Sequence, residues 1–122
     1  MPDVWRIYRV KKCSHTHPPK DKFVVIVCRE SRCLGFLINS EINQFTAKKP
    51  HLFQCQVSLK KADYHFLFHD SYLDCARLYP FDDGELVVGL DLVNAETKAE
   101  IKTVVSKAKT IARRYVKLIL MQ

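Results

Sequence analysis

Acidic residues are absent from Lys102 onward, a stretch that carries six basic ones (Lys102, Lys107, Lys109, Arg113, Arg114 and Lys117). No Cys-x-x-Cys pair occurs among Cys13, Cys28, Cys33, Cys55 and Cys75, whose number is odd and spacing irregular. That excludes the short-spaced paired ligands of an ordinary zinc site. Cys13 lies close to His15 and His17, but no fourth ligand accompanies them, so no metal and no cofactor is expected. No apolar run reaches the ~18 residues of a membrane span, and Met1 to Arg9 lacks the apolar stretch of a signal peptide. No internal repeat or low-complexity tract is present. The expectation is a soluble, cytoplasmic protein with no membrane partner.

What is there is one domain's worth of chain. Its 122 residues are 48% hydrophobic and 27% charged, a globular balance around a single core. The net charge of +7 favours polyanion partners. The charge is concentrated towards the two ends of the sequence. Met1 to Cys33 carries eight basic residues, among them Arg6, Arg9, Lys11, Lys12, Lys20 and Lys22, against Asp3, Asp21 and Glu30.

The periodicity predicts strands first and a helix last. Val4 to Val10 alternates apolar and basic residues, as a half-buried strand does. Lys11 to Lys22, with Pro18-Pro19, reads as a loop. Phe23 to Cys28 and Cys33 to Ile38 are β-branched or apolar runs of central-strand type, joined by a hairpin at Arg29–Arg32. Cys28 and Cys75 sit in apolar contexts and are expected as reduced core cysteines. Asn39 to Pro50 reads as a polar connection, Leu52 to Leu59 as an alternating strand, and His65–Phe68 and Tyr72–Leu78 as shorter apolar pieces. Pro80 to Gly84 reads as a turn and Glu85 to Leu92 as the last strand. The period then changes. Ile101, Val104, Val105, Ala108, Ile111, Ala112, Tyr115, Leu118 and Ile119 form a helical stripe, with Asn94 as N-cap. A single helix from Ala95 to Leu120 would be ~38 Å long, against about 35 Å for a compact domain of this size. It must project, or break near Ser106. Its outer face would carry Lys98, Lys102, Lys109, Arg113 and Lys117 as a basic stripe suited to an anionic partner. The sum is an α+β fold, mainly β: five or six short strands in a small curled antiparallel sheet or barrel, with a C-terminal amphipathic helix packed on it.

Three stretches, in order, resemble the MazF/PemK toxin family. Lys20-Asp21-Lys22-Phe23-Val24-Val25-Ile26-Val27 is similar to the family's basic loop end and following strand. Phe36-Leu37-Ile38-Asn39-Ser40 is similar to its strand ending in Thr-Ser. Ser71 to Leu78 is similar to the segment that places an Asp and an Arg near the active groove. Gly84 to Leu90 and a helix then match the family's ending. Lys22 stands where the family has an arginine, and Phe23 where it has a proline. The resemblance covers nearly the whole chain. It implies a MazF/PemK/CcdB-type, SH3-like barrel and metal-independent cleavage of single-stranded RNA. It also implies an acidic antitoxin protein as partner and a homodimer.

In that chemistry the ribose 2′-hydroxyl attacks the neighbouring phosphorus, which needs a base, an acid and cationic donors around the phosphorane. Arg77 offers a bidentate fork to phosphate, Asp74 a base or an orienting carboxylate, and Lys22 a point charge. Lys20 and Ser40 could bind phosphate oxygens. His15 and His17 share a loop with lysines, and histidine as a residue type is suited to proton transfer near neutral pH. Tyr64, Tyr72 and Tyr79 are near the proposed groove and could stack bases. Two other readings stand beside this one. The first is a non-catalytic binding module on the same fold, either a protein-target poison or a nucleic-acid binder. The second is a plain basic adaptor.

Overall fold

The computed structural model describes residues 1–122. Seven strands form one antiparallel sheet: β1 (Arg6–Cys13), β2 (Lys20–Arg29), β3 (Cys33–Asn39), β4 (Gln56–Leu59), β5 (Ser71–Asp74), β6 (Tyr79–Phe81) and β7 (Val88–Leu92). The order is β4-β5-β3-β2-β1-β7, with β6 also on β3. The sheet curls into a half-barrel because strands twist and because the pairings shift register at Val10/Cys13, Ile26/Cys28 and Arg6/Tyr8. Such bulges bend a strand locally.

The outer edge of β3 serves two different strands. Its C-terminal end pairs with β5 (Ile38↔Leu73, Asn39↔Tyr72), and its N-terminal end pairs with β6 (Cys33↔Phe81, Gly35↔Tyr79). Phe36 and Leu37, between them, pair with neither. The sheet therefore forks beyond β3, and residues 75–78 cross the gap.

Both faces of the sheet are apolar, as the continuous run in β2 requires. Ile7, Val25, Val27, Phe36, Ile38, Val57 and Leu73 face the main cluster, of 22 residues. Tyr8, Val10, Val24, Ile26, Leu37 and Phe81 face a second, of nine. The C-terminal helices cover only the larger one. They are α3 (Ala95–Lys107) and α4 (Arg113–Leu120); they bury Ile101, Val105, Val116 and Ile119, and the linker between them buries Ile111. Each fully buried aliphatic side chain contributes about 1.5–3 kcal/mol.

Several elements differ from the sequence expectation. The single helix is two, broken after Lys107, so the chain turns back over the sheet instead of projecting. The break resets the phase: Val116 is buried and Ala112 exposed. It also takes Lys109 off the helical face, and the predicted continuous basic stripe does not exist. Lys98 and Lys102 instead lie over the buried Trp5 ring, 5.3 and 6.0 Å from its centroid. The first strand begins at Arg6 and runs on to Cys13, and β2 begins at Lys20, so the long loop shrinks to 14–19. Leu52 to Leu59 is not one strand. Pro50 starts the short helix α2 (Pro50–Phe53), where its missing N–H costs nothing, and only Gln56–Leu59 pairs. The polar connection before it holds α1 (Gln44–Ala47), capped by Asn43. The expected turn at Pro80 contains β6, followed by a 3₁₀ turn at Asp83–Glu85. His65 to Phe68 forms no strand.

Other expectations hold. Asn94 caps α3, its side chain accepting from Thr97 N at 2.8 Å. All five cysteines are reduced and buried. Tyr64 departs from its expected place near the groove and is a core residue only 2% exposed. Its hydroxyl donates to Thr97 Oγ1 (2.8 Å) and accepts from Asn94 N (3.1 Å), tying the helix start to the 60s loop. Tyr64→Phe leaves both groups short of a partner and is expected to cost about 1–2 kcal/mol in urea denaturation.

Four of the cysteines should make stability fall at alkaline pH. Burial pushes the Cys28 thiol from 9.0 up to about 11, and raises Cys33, Cys55 and Cys75 by the same cause. A folded-state pKa above the unfolded one means stability is lost as pH rises past the unfolded value. Lys22, whose pKa is lowered, acts with the opposite sign, but it is one group against four. Denaturation midpoints should fall between pH 9 and 11. Cys28→Val should remove on the order of 2 kcal/mol of that fall.

Candidate functional site

The fork beyond β3 opens a cavity of about 620 Å³, walled by Leu37, Asn39, Phe45, Asp74, Arg77 and Tyr79. Its strand walls, Leu37, Asn39 and Asp74, come from the sheet face opposite the main cluster, while Thr110 of the α3–α4 linker and Ala76 close its other side. In β5 the core-facing Ser71 and Leu73 alternate with Tyr72 and Asp74, and in β3 Ile38 alternates with Leu37 and Asn39. Continuing the β2–β3 register one residue beyond Phe23↔Ile38 sets Lys22 opposite Asn39. Lys22, Asn39, Tyr72 and Ser58 thus form one row across the sheet. Asp74 and Gln56 belong to the next row.

Lys22 and Asp74 are held by hydrogen bonds. Lys22 Nζ donates to Asn39 Oδ1 at 2.7 Å. Burial draws the Lys22 pKa below the ordinary 10.5, and the charge of Lys20 adds to this. Asp74 Oδ1 accepts from Gln56 Nε2 and from Ala76 N, both at 3.0 Å. The second bond closes an Asx-type turn that ends β5. Both fall on one oxygen, which leaves Oδ2 free of protein partners. Thr110 Oγ1 donates to Ala76 O at 2.6 Å, so the α3–α4 linker braces the same turn. Arg77, on the crossing segment, is exposed. Interaction with the Tyr79 hydroxyl, then the charge of Asp74, holds its guanidinium firmly cationic.

The fork therefore brings Asp74 and Arg77 together, and Lys22 joins them through Asn39. Lys20, Lys22 and Ser40 line an adjoining cavity of about 250 Å³ with Phe68, His69 and Ser71. Tyr72 is half-buried on the same face, beside Asn39. His15 is engaged elsewhere. Its Nε2 lies 2.8 Å from Pro80 O, and its ring packs 4.6 Å from Tyr79 and 5.2 Å from Phe81. It supports Tyr79 rather than reaching Asp74. His17 is exposed and lines neither cavity. No group of three or more His, Cys, Asp or Glu side chains is arranged to hold a metal, the Cys13–His15–His17 set included. No helix is long and apolar enough to cross a membrane.

Sequence reasoning missed Asn39, Gln56 and Phe45. For Asn39 a signal was present: in β3 it shares the face of Leu37, whereas Ser40 falls beyond the strand. Gln56 was obscured by reading Leu52 to Leu59 as one strand. Nothing local marked Phe45.

No protein-family model and no curated protein matches the chain.

Proposed function

We propose that the chain is a metal-independent endoribonuclease of the MazF/PemK type, the toxin of a type II toxin–antitoxin pair, acting on single-stranded RNA. The observation that carries this reading is the convergence of Asp74, Arg77 and the Lys22–Asn39 pair on one forked-sheet groove. The curled sheet with helices on its far face agrees with the architecture the family resemblance implies. In the reaction, Asp74 Oδ2 takes the proton of the ribose 2′-hydroxyl as that oxygen bonds to phosphorus. Arg77 and Lys22 neutralise the phosphorane oxygens. The P–O5′ bond breaks and the leaving oxygen takes a proton from Lys22, an ammonium whose burial makes it a stronger acid than a solvated lysine. The products are a 2′,3′-cyclic phosphate and a 5′-hydroxyl. The same reading gives the protein an acidic antitoxin partner, drawn by its positive charge. It also gives a homodimer, for which exposed Val88 and Leu92 on the edge strand β7 offer apolar surface.

The test is incubation of pure, folded protein with single-stranded RNA in EDTA. Cleavage to cyclic-phosphate ends is expected, and a 2′-deoxy substitution at the cut position should abolish it. Intact RNA would sink the catalytic reading. A second reading, a non-catalytic RNA-binding module, is favoured by one observation: the Lys22 ammonium is already bonded to Asn39. Retention of RNA without cutting, unchanged after Arg77 and Asp74 are both replaced by alanine, would establish that alternative.

A further inference from the structure

We propose that Phe45 and Phe68 are nucleobase-stacking platforms on either side of the Lys22–Asn39 pair, so that one phosphate sits between two clamped bases. The inference rests on the reading of this groove as an RNA site. It is carried by a separate observation, the exposure and placement of two rings. Phe45 is 65% exposed and Phe68 87%. Each leaves unused the burial that stabilises Phe36 and Phe81, and each is more exposed than Phe53, at 50%.

Their positions are not random over the surface. Phe45 walls the cavity that contains Asn39, Asp74 and Arg77. Phe68 walls the one that contains Lys20, Lys22 and Ser40. The 2.7 Å bond from Lys22 to Asn39 links a wall residue of one cavity to a wall residue of the other. A strand lying across that bond puts its phosphate against cations and its flanking nucleosides into opposite cavities.

Both rings are held out by their own loops. Asn43 caps α1 through Thr46 N at 2.8 Å, fixing Phe45 on the helix. Leu67, next to Phe68, is buried and bonded to Tyr64 O at 3.0 Å. On its other side Asp70 accepts from Lys61 N at 2.9 Å. Lys49 Nζ lies 5.1 Å from the Phe45 centroid, a charge placed for the next phosphate.

A phenyl ring has no hydrogen-bonding group, so it reads a base's face and not its edge. Recognition at these two positions is therefore tolerant of base identity. It rejects duplex RNA, in which base faces are already stacked.

The test uses a short, mixed-sequence 2′-O-methyl oligonucleotide, which lacks the attacking hydroxyl, with binding read by fluorescence anisotropy. Phe45→Ala and Phe68→Ala are each expected to weaken binding roughly tenfold. Phe68→Trp should retain affinity, and Phe68→Leu should lose it as alanine does. An oligonucleotide with abasic sites should bind wild type weakly and be indifferent to the substitutions. Unchanged affinity in the alanine variants, with wild type still binding, would overturn the platforms and leave the phosphate site standing. So would a sedimentation shift from dimer to monomer, which would assign the rings to a second copy of the chain. Failure of the wild type to bind any RNA would remove the phosphate site as well.

Discussion

Arg77→Ala is expected to lower RNA cleavage by about 10²–10³-fold, the usual loss when a charge-stabilising donor is removed from a reacting oxyanion. Arg77 is the one exposed cation on the groove wall, and it stands beside the carboxylate assigned as base. Its removal should leave the fold intact. The crossing segment is held by bonds to Asp74 and Thr110 through Ala76, not by the guanidinium. A thermal melt unchanged within about 1 kcal/mol, as for most exposed substitutions, should therefore accompany the lost activity. Lysine at this position restores charge but not the bidentate fork, and should recover only part of the rate. Full activity in Arg77→Ala would move the chemistry elsewhere on the protein.

Gly35→Ala is expected to destabilise the protein by roughly 3 kcal/mol, the upper range for forcing atoms into packed structure. A methyl group at this position would stand 2.5 Å from Val25 O and 3.0 Å from Ile26 Cδ1. The first contact is with backbone, in the middle of the β2–β3 ladder, so no side-chain rotation relieves it. Gly35 also pairs with Tyr79 on β6. The same substitution should therefore displace one wall of the groove and lower activity beyond what the unfolded fraction explains. Urea denaturation beside a cleavage assay at a temperature where the variant stays folded separates the two effects.

Much of the sheet was legible because a strand's alternation is written in consecutive residues. β2 and β3 emerged from apolar runs, and Asn94 and the cysteines behaved as their local contexts suggest. Three features were not legible, for one shared reason. The fork at β3 depends on which strand takes which half of an edge, a choice made between residues as far apart in the chain as Ile38 and Leu73 or Cys33 and Phe81. Leu52–Phe53 looked like part of a strand because two residues cannot distinguish a period of 2 from one of 3.6, and Pro50 decided for helix. The terminal stripe looked continuous because the residues on both sides of the break are apolar. Only packing against the sheet shows that Val116, not Ala112, faces inward.

The strongly basic charge, the mainly β composition, the core fate of the cysteines and an apolar helical face near the C-terminus follow from the amino-acid order alone, since each is a sum or a short-range period. The resemblance to the MazF/PemK family, rather than any local period, is what pointed to Lys22, Asp74 and Arg77. Tertiary structure decided that Asp74 and Arg77 share a groove, that Lys22 lines the adjoining cavity and bonds to Asn39 on the groove wall, and that the basic helix face is interrupted, with Lys98 and Lys102 lying over Trp5. Those outcomes rest on hydrogen-bond partners and register between distant strands, whose choice is settled by closing one core and not by any local preference.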